Sequence, residues 1–135
     1  MTSPVVLLVD DEKTILDALR AQIRELGAGG VRCETAEGVD EAWEVLEELV
    51  EEDSARVVLI VSDWLMPGTR GDEFLAQVRG RYPTIIRVML TGQADAVALE
   101  RVRRDDLAHL LIFKPWQPTD VQSALDLALL NGEAG

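Results

Sequence analysis

Short β-branched runs that stop at polar residues constrain this chain more than any other feature. Val5-Val6-Leu7-Leu8-Val9 stops at Asp10-Asp11, and Val57-Val58-Leu59-Ile60-Val61 stops, after Ser62, at Asp63. A run that is apolar at every position, rather than at alternate ones, predicts a strand buried on both faces. Strands of that kind belong to a parallel sheet with helices on either side. Ile85–Leu90, leading into Thr91-Gly92, and Leu110–Phe113, ending at Lys114-Pro115, repeat the pattern. Val31–Thr35 is a weaker version of it.

Between these runs the period changes to that of a helix. Ile15, Leu16, Leu19, Ile23 and Leu26 form one stripe, stopped at Gly27, Gly29 and Gly30. Ala42, Val45, Leu46 and Leu49 line a second helix. Phe74, Leu75 and Val78 mark a short third, which Gly80 and Pro83 close. A fourth is expected from about Ala94 to Arg103, and a fifth over Val121–Leu130 with Thr119 or Asp120 as its cap. Asn131–Gly135 reads as a frayed end. Five strands alternating with five helices predict an α/β fold, a single doubly wound (βα)5 domain on a five-stranded parallel sheet. The 135 residues are 47% hydrophobic, enough for one core without a disulfide or structural metal. One domain over 1–135 is expected, with its core at about 4–131.

Charge then removes some functions. Thirteen basic residues against twenty-five acidic ones leave a net charge of -12, which repels a phosphate backbone and argues against nucleic acid as a direct partner. Cys33 is the single cysteine and cannot form an internal disulfide; it reads as a small buried hydrophobe in a reducing compartment. The longest apolar runs are too short to span a bilayer, and no export signal is visible at the N-terminus. A cytoplasmic protein without a membrane partner is expected. His109, the one histidine, is too isolated for a metal site and reads as structural.

The polar residues that end the runs share one location. The carboxyl ends of parallel strands lie on one edge of the sheet, where open α/β folds place their ligands. Asp10, Asp11, Asp63, Thr91 and Lys114 are therefore expected to converge. Crowded carboxylates repel one another, and a hard cation such as Mg²⁺ relieves this while keeping several waters. Lysine supplies a point charge for a phosphoryl oxygen, and a threonine hydroxyl can hydrogen-bond another. A carboxylate beside a metal can act as a nucleophile towards phosphorus. The chemistry these residues predict is transfer of a phosphoryl group onto an aspartate.

Four blocks carry a resemblance: Leu8-Val9-Asp10-Asp11-Glu12, Ser62-Asp63-Trp64-Leu65-Met66-Pro67, Leu90-Thr91-Gly92 and Phe113-Lys114-Pro115-Trp116. In their order and at the ends of the expected strands, they resemble the receiver domains of two-component response regulators, which have a flavodoxin-like fold. The resemblance implies that Asp63 is the phosphoacceptor. It implies that Asp11 and Asp63 bind Mg²⁺ with the backbone carbonyl of Leu65, while Asp10 acts in the same site largely through water. Thr91 would be the switch hydroxyl and Lys114 the counter-charge, followed by a cis peptide to Pro115. The implied partners are a histidine kinase or phosphotransfer protein as donor in a phosphorelay, and a downstream output domain or protein. The only reactions implied are the domain's own phosphotransfer and dephosphorylation, so it is not an enzyme in the usual sense.

Two positions depart from the family pattern. Leu111 stands where most receivers carry a Tyr or Phe that moves with the threonine, and Trp116 replaces the more usual Phe. The tryptophan looks like a subset of receivers joined to cyclic-dinucleotide phosphodiesterase or hydrogenase-regulator outputs. Leu65 is expected to shield an aspartyl phosphate from water, against Gln93, which could orient one. Leu127 and Leu130 lie off the stripe of the last helix. With Val97 and Leu111 they are candidates for a homodimer surface from the fourth helix to the fifth. A haloacid-dehalogenase-type phosphatase is the enzyme alternative, but it needs a second aspartate two residues after its nucleophile, where Leu65 follows Asp63. A receiver-like module that takes no phosphate is the other.

Overall fold

The structure, a computed structural model, describes residues 3–26, 30–64, 66, 68–92 and 96–134, without the side chains of 97, 98 and 131–134. Five strands, β1 (Pro4–Val9), β2 (Arg32–Ala36), β3 (Arg56–Asp63), β4 (Ile86–Thr91) and β5 (Leu110–Phe113), form one sheet in the order β2-β1-β3-β4-β5. All neighbouring pairs are parallel. The helices are α1 (Lys13–Glu25), α2 (Val39–Glu47), α3 (Gly71–Arg81), α4 (Ala96–Arg104) and α5 (Pro118–Ala134).

The apolar runs behave as two-faced strands. Val5, Leu7 and Val9 pack into one core with Ala42 and Leu46 of α2, Phe74, Leu75 and Val78 of α3, and Val102 of α4. Val6 and Leu8 turn to the opposite core, with Leu16, Leu19 and Ile23 of α1 and Val121, Leu125 and Ala128 of α5. This is the (βα)5 doubly wound sheet expected, with α2, α3 and α4 on one face and α1 and α5 on the other. Successive connections from β1 pass to opposite sides, so the sheet reverses direction between β1 and β3. The crevice at that reversal is bordered by Asp10, just past β1, and Asp63, the last residue of β3.

Several local expectations are corrected. Gly80 does not close α3, which runs through it to Arg81; Tyr82, the residue before Pro83, is non-helical because proline disfavours the α conformation there. Neither Thr119 nor Asp120 caps α5, since both lie in its first turn. Pro118 opens the helix, and the Asp120 carboxylate reaches back to accept from the Gln117 N–H at 2.8 Å. That helix also continues to Ala134, into the segment read as frayed. Beyond α2 the chain makes a π-helical turn, Glu48–Glu52, which keeps Leu49 buried. Cys33 is half-buried rather than buried.

His109 is structural, as expected. Its Nδ1 accepts from the Arg87 N–H at 3.0 Å, and its own N–H donates to the Arg87 carbonyl at 2.7 Å. Burial, and then the Arg87 charge, push the imidazole pKa below its ordinary value.

Candidate functional site

Asp10 is completely buried at the end of β1, a costly position for a carboxylate unless each oxygen is engaged. Its Oδ1 accepts from the Glu12 N–H at 2.8 Å, satisfying an orphan amide at the start of α1, and its Oδ2 lies 3.2 Å from Lys114 Nζ. The lysine also reaches Asp63 Oδ1 at 3.2 Å. One ammonium therefore bridges two carboxylates that stand 53 positions apart in the chain, as 63 − 10.

Lys114 is positioned by its own backbone. Its N–H donates to the Thr91 carbonyl at 2.8 Å, where β5 ends beside β4, and the Lys114–Pro115 peptide is cis. Thr91 itself is buried at the last position of β4. At Gly92 the chain passes the lysine stem, where an added Cβ would lie 3.6 Å from Lys114 Cδ.

The charges do not balance. Burial pushes the Asp10 carboxyl pKa above the usual carboxylate value, outweighing the Glu12 N–H and Lys114, which pull it down. Burial and then the Asp10 charge push Asp63 up in the same way. Burial alone would lower the Lys114 ammonium, but the charges of Asp10 and Asp63 outweigh it and hold it above the usual lysine value. Asp11, exposed, brings a third carboxylate: oxygens of Asp10, Asp11 and Asp63 lie within 4.8 Å of one another. Three carboxylates against one ammonium fit a hard divalent cation, which would hold oxygen ligands and offset the excess charge.

Four of the sequence-predicted side chains, Asp10, Asp11, Asp63 and Lys114, thus meet at one sheet edge, and Thr91 ends β4 on that same edge. Leu65 and Gln93 lie outside the described residues, so the expected carbonyl ligand and the residues flanking the site have no geometry here. Of the surface candidates, Leu130 is exposed, at 66%; Phe113, which was not among them, is exposed as well, at 50%. Leu127 is instead half-buried against the core shared by α1 and α5, and Leu111 against the core on the α2–α4 face. The Val97 side chain is not described.

Sequence reasoning missed two residues beside the site. Gly71 opens α3 so close to β3 that an added Cβ would overlap the Asp63 carbonyl oxygen and lie 2.9 Å from Trp64 Cα. The other is Asp72, a fully buried carboxylate with arginine partners on both sides. Its signal in the sequence was weak: position 72 lies three residues before Leu75, at the edge of the face that Leu75 and Val78 bury.

A parallel sheet in this order, with three acidic side chains, a hydroxyl and a lysine at its carboxyl edge, defines a receiver-type signalling fold. The family model for the response regulator receiver domain matches residues 6–126, and the chain belongs to that family. Among curated relatives, the hydrogenase transcriptional regulatory protein HoxA of Cupriavidus necator is 33% identical over 132 residues, which is 95% of this chain. The chain spans only a quarter of that relative's length. Among solved structures, the signal receiver domain of an HD domain-containing protein from Pseudomonas fluorescens Pf-5 superposes with a TM-score of 0.83 at 26% identity, covering 98% of each chain. A protein from Neptuniibacter caesariensis gives 0.83 at 32% identity, covering 98% of this chain and 91% of its own. The haloacid-dehalogenase alternative is not favoured. No helix among the described residues is long and apolar enough to cross a membrane.

Proposed function

We propose that this domain accepts a phosphoryl group on Asp63 from a histidine kinase or phosphotransfer protein, in a Mg²⁺-dependent reaction, and so switches an output surface. The observation that carries this reading is the Lys114 bridge to Asp10 and Asp63 beside a third carboxylate. A free oxygen of Asp63 attacks phosphorus, and the new O–P bond forms as the donor's P–N bond breaks. The electron pair leaves with the donor imidazole nitrogen, which takes up a proton. Lys114 then trades its bond to Asp63 for one to a phosphoryl oxygen, and the Thr91 hydroxyl donates to another. Asp10, Asp11, Asp63 and the Leu65 carbonyl would hold Mg²⁺, which would supply the positive charge that the phosphoryl oxygens require. The aspartyl phosphate is removed by water, with Leu65 shielding the phosphorus.

Incubation with acetyl phosphate and Mg²⁺ is expected to add one base-labile phosphoryl mass to the wild type and none to Asp63→Asn. An adduct that survives in the variant rejects the assignment.

Mg²⁺ also stabilises the fold, because only the folded chain assembles the three carboxylates. At a hundred times its dissociation constant the gain is about 2.7 kcal/mol. Melting curves at constant ionic strength show a Mg²⁺-specific rise in the wild type and little or none in Asp11→Ala. Equal rises in both would remove Asp11 from the site.

The remaining parts of the proposal concern context. The chain acts as one domain over 1–135, in the cytoplasm, without touching nucleic acid. Its output is a separate domain or protein; a hydrogenase-regulator output, one of the two classes that Trp116 suggested, is supported by the relative that is a hydrogenase transcriptional regulatory protein. Phosphorylation drives homodimerisation through the α4–β5–α5 face, where Phe113 and Leu130 are exposed. Sedimentation with and without beryllofluoride, a phosphoryl mimic, resolves this: a dimer is expected only with the mimic, and a monomer in both states contradicts it.

A further inference from the structure

Asp72 has no exposed surface, yet it is a carboxylate in the first turn of α3, nine residues after Asp63. Its charge is matched from two directions. Arg70, immediately before α3, places Nε 3.2 Å from Oδ1 and Nη2 3.3 Å from Oδ2. Arg101 of α4 places Nη1 2.9 Å from Oδ2. The Arg70 contact to Oδ1 is ionic only, and that oxygen has no aligned hydrogen bond among the described residues. A buried carboxylate is retained at a cost, and removing one partner of such a pair is strongly felt.

Two further observations give the triad a role. The first turn of α3 is seated on the backbone of the phosphoacceptor: the Gly71 N–H donates to the Trp64 carbonyl at 2.8 Å, and Gly71 has no room for a Cβ against the Asp63 carbonyl. On the other side lies α4, whose described side chains are mostly polar or partly exposed. Among its described side chains only Val102 is buried. The turn after α4 is gripped through backbone carbonyls instead: Arg79 donates to those of Asp105 and Asp106, and Arg87 to those of Leu107, at 2.8 Å, and Asp106. Among the described residues, the Arg101–Asp72 pair is therefore a polar tie between the body of α4 and the segment that abuts Asp63.

We propose that Asp72 is a positioning residue which, through Arg101, couples the placement of α4 to the geometry of Asp63. This rests on Asp63 being the phosphoacceptor. It goes beyond that reading in giving α4 a second connection to the site, in addition to the covalent one through Thr91. Coupling of this kind is reciprocal: if ligation at Asp63 biases α4, releasing α4 changes the affinity at Asp63 by the same factor. The intact triad holds the Asp63 backbone in place, so releasing α4 weakens ligation.

The test uses Arg101→Gln, a substitution of a half-exposed side chain. Two quantities are read at saturating Mg²⁺: the affinity for beryllofluoride, and the change in amide exchange over residues 96–104 when it binds. In the wild type, beryllofluoride binds and alters exchange across α4. In Arg101→Gln the affinity falls by about fivefold or more, and the exchange response over 96–104 is lost. If either quantity matches the wild type in that variant, the coupling is overturned. It is also overturned if wild-type α4 does not respond. Asp72→Asn reproduces the loss, and combining it with Arg101→Gln adds no further loss; additive losses would show that the two residues act separately. Failure of the wild type to bind beryllofluoride at all contradicts the Asp63 reading itself, and this inference with it.

Discussion

Replacing Gly71 with alanine is expected to cost the domain about 3 kcal/mol and to suppress phosphorylation of whatever remains folded. The added methyl meets backbone rather than a flexible side-chain end, since the Asp63 carbonyl and Trp64 Cα occupy its place. Overpacking against groups that cannot rotate away lies at the upper end of the usual range of 1 to 3 kcal/mol, roughly. Relief requires β3 and α3 to separate, which moves the Asp63 carboxylate away from Lys114. Urea denaturation gives the stability, and acetyl phosphate labelling under conditions where the variant is folded gives the chemistry. A variant with wild-type stability and labelling would mean that the approach of α3 to Asp63 is unimportant.

Removing the lysine charge should have an effect of similar size with a different signature. In Lys114→Met, Asp10 and Asp63 keep their burial and lose the ammonium that bridges them. Breaking a buried ion pair from one side costs about 3 kcal/mol or more. The site is open to solvent at its rim, which places the loss at the low end. Both carboxyl pKa values are already raised in the folded wild type, and loss of the lysine raises them further. A folded-state pKa above the unfolded value favours the folded state as pH falls, so the deficit shrinks on acidification. Mg²⁺ shrinks it as well, because a cation replaces the lost charge. Denaturation in chelator and in millimolar Mg²⁺, each at neutral and mildly acidic pH, measures both effects. A deficit independent of Mg²⁺ and pH would point to lost packing of the lysine stem rather than lost charge.

Much of this site was legible because its residues interrupt otherwise apolar runs. Asp63, Thr91 and Lys114 are conspicuous in sequence for standing where strands stop, and parallel topology does the rest by putting every strand end on one edge. The fold was legible for the same reason, since strands buried on both faces leave few architectures. What escaped notice depends on close approach in three dimensions. Gly71 looks like an ordinary loop breaker until Asp63 is seen against it. Asp72 looks like an acidic residue at a helix start, a favourable place near the helix dipole, until its complete burial shows that two arginines hold it. Helix ends were misjudged where a local rule was outweighed: α3 runs through Gly80 and stops only at the residue before Pro83, and Pro118 starts α5 before the residues chosen as its caps. Leu127 was read as exposed from helical spacing alone, whereas the half-buried side chain packs beside α1 and the sheet.

Chemical mapping of the phosphoryl group tests the central claim most directly. Borohydride reduces an acyl phosphate to the corresponding alcohol, so phosphorylated aspartate becomes homoserine and can be located by peptide sequencing. After treatment with acetyl phosphate and Mg²⁺, homoserine is expected at position 63 and nowhere else. Homoserine at position 10 or 11, or labelling that resists borohydride, would contradict the assignment of Asp63 as the residue that carries the signal.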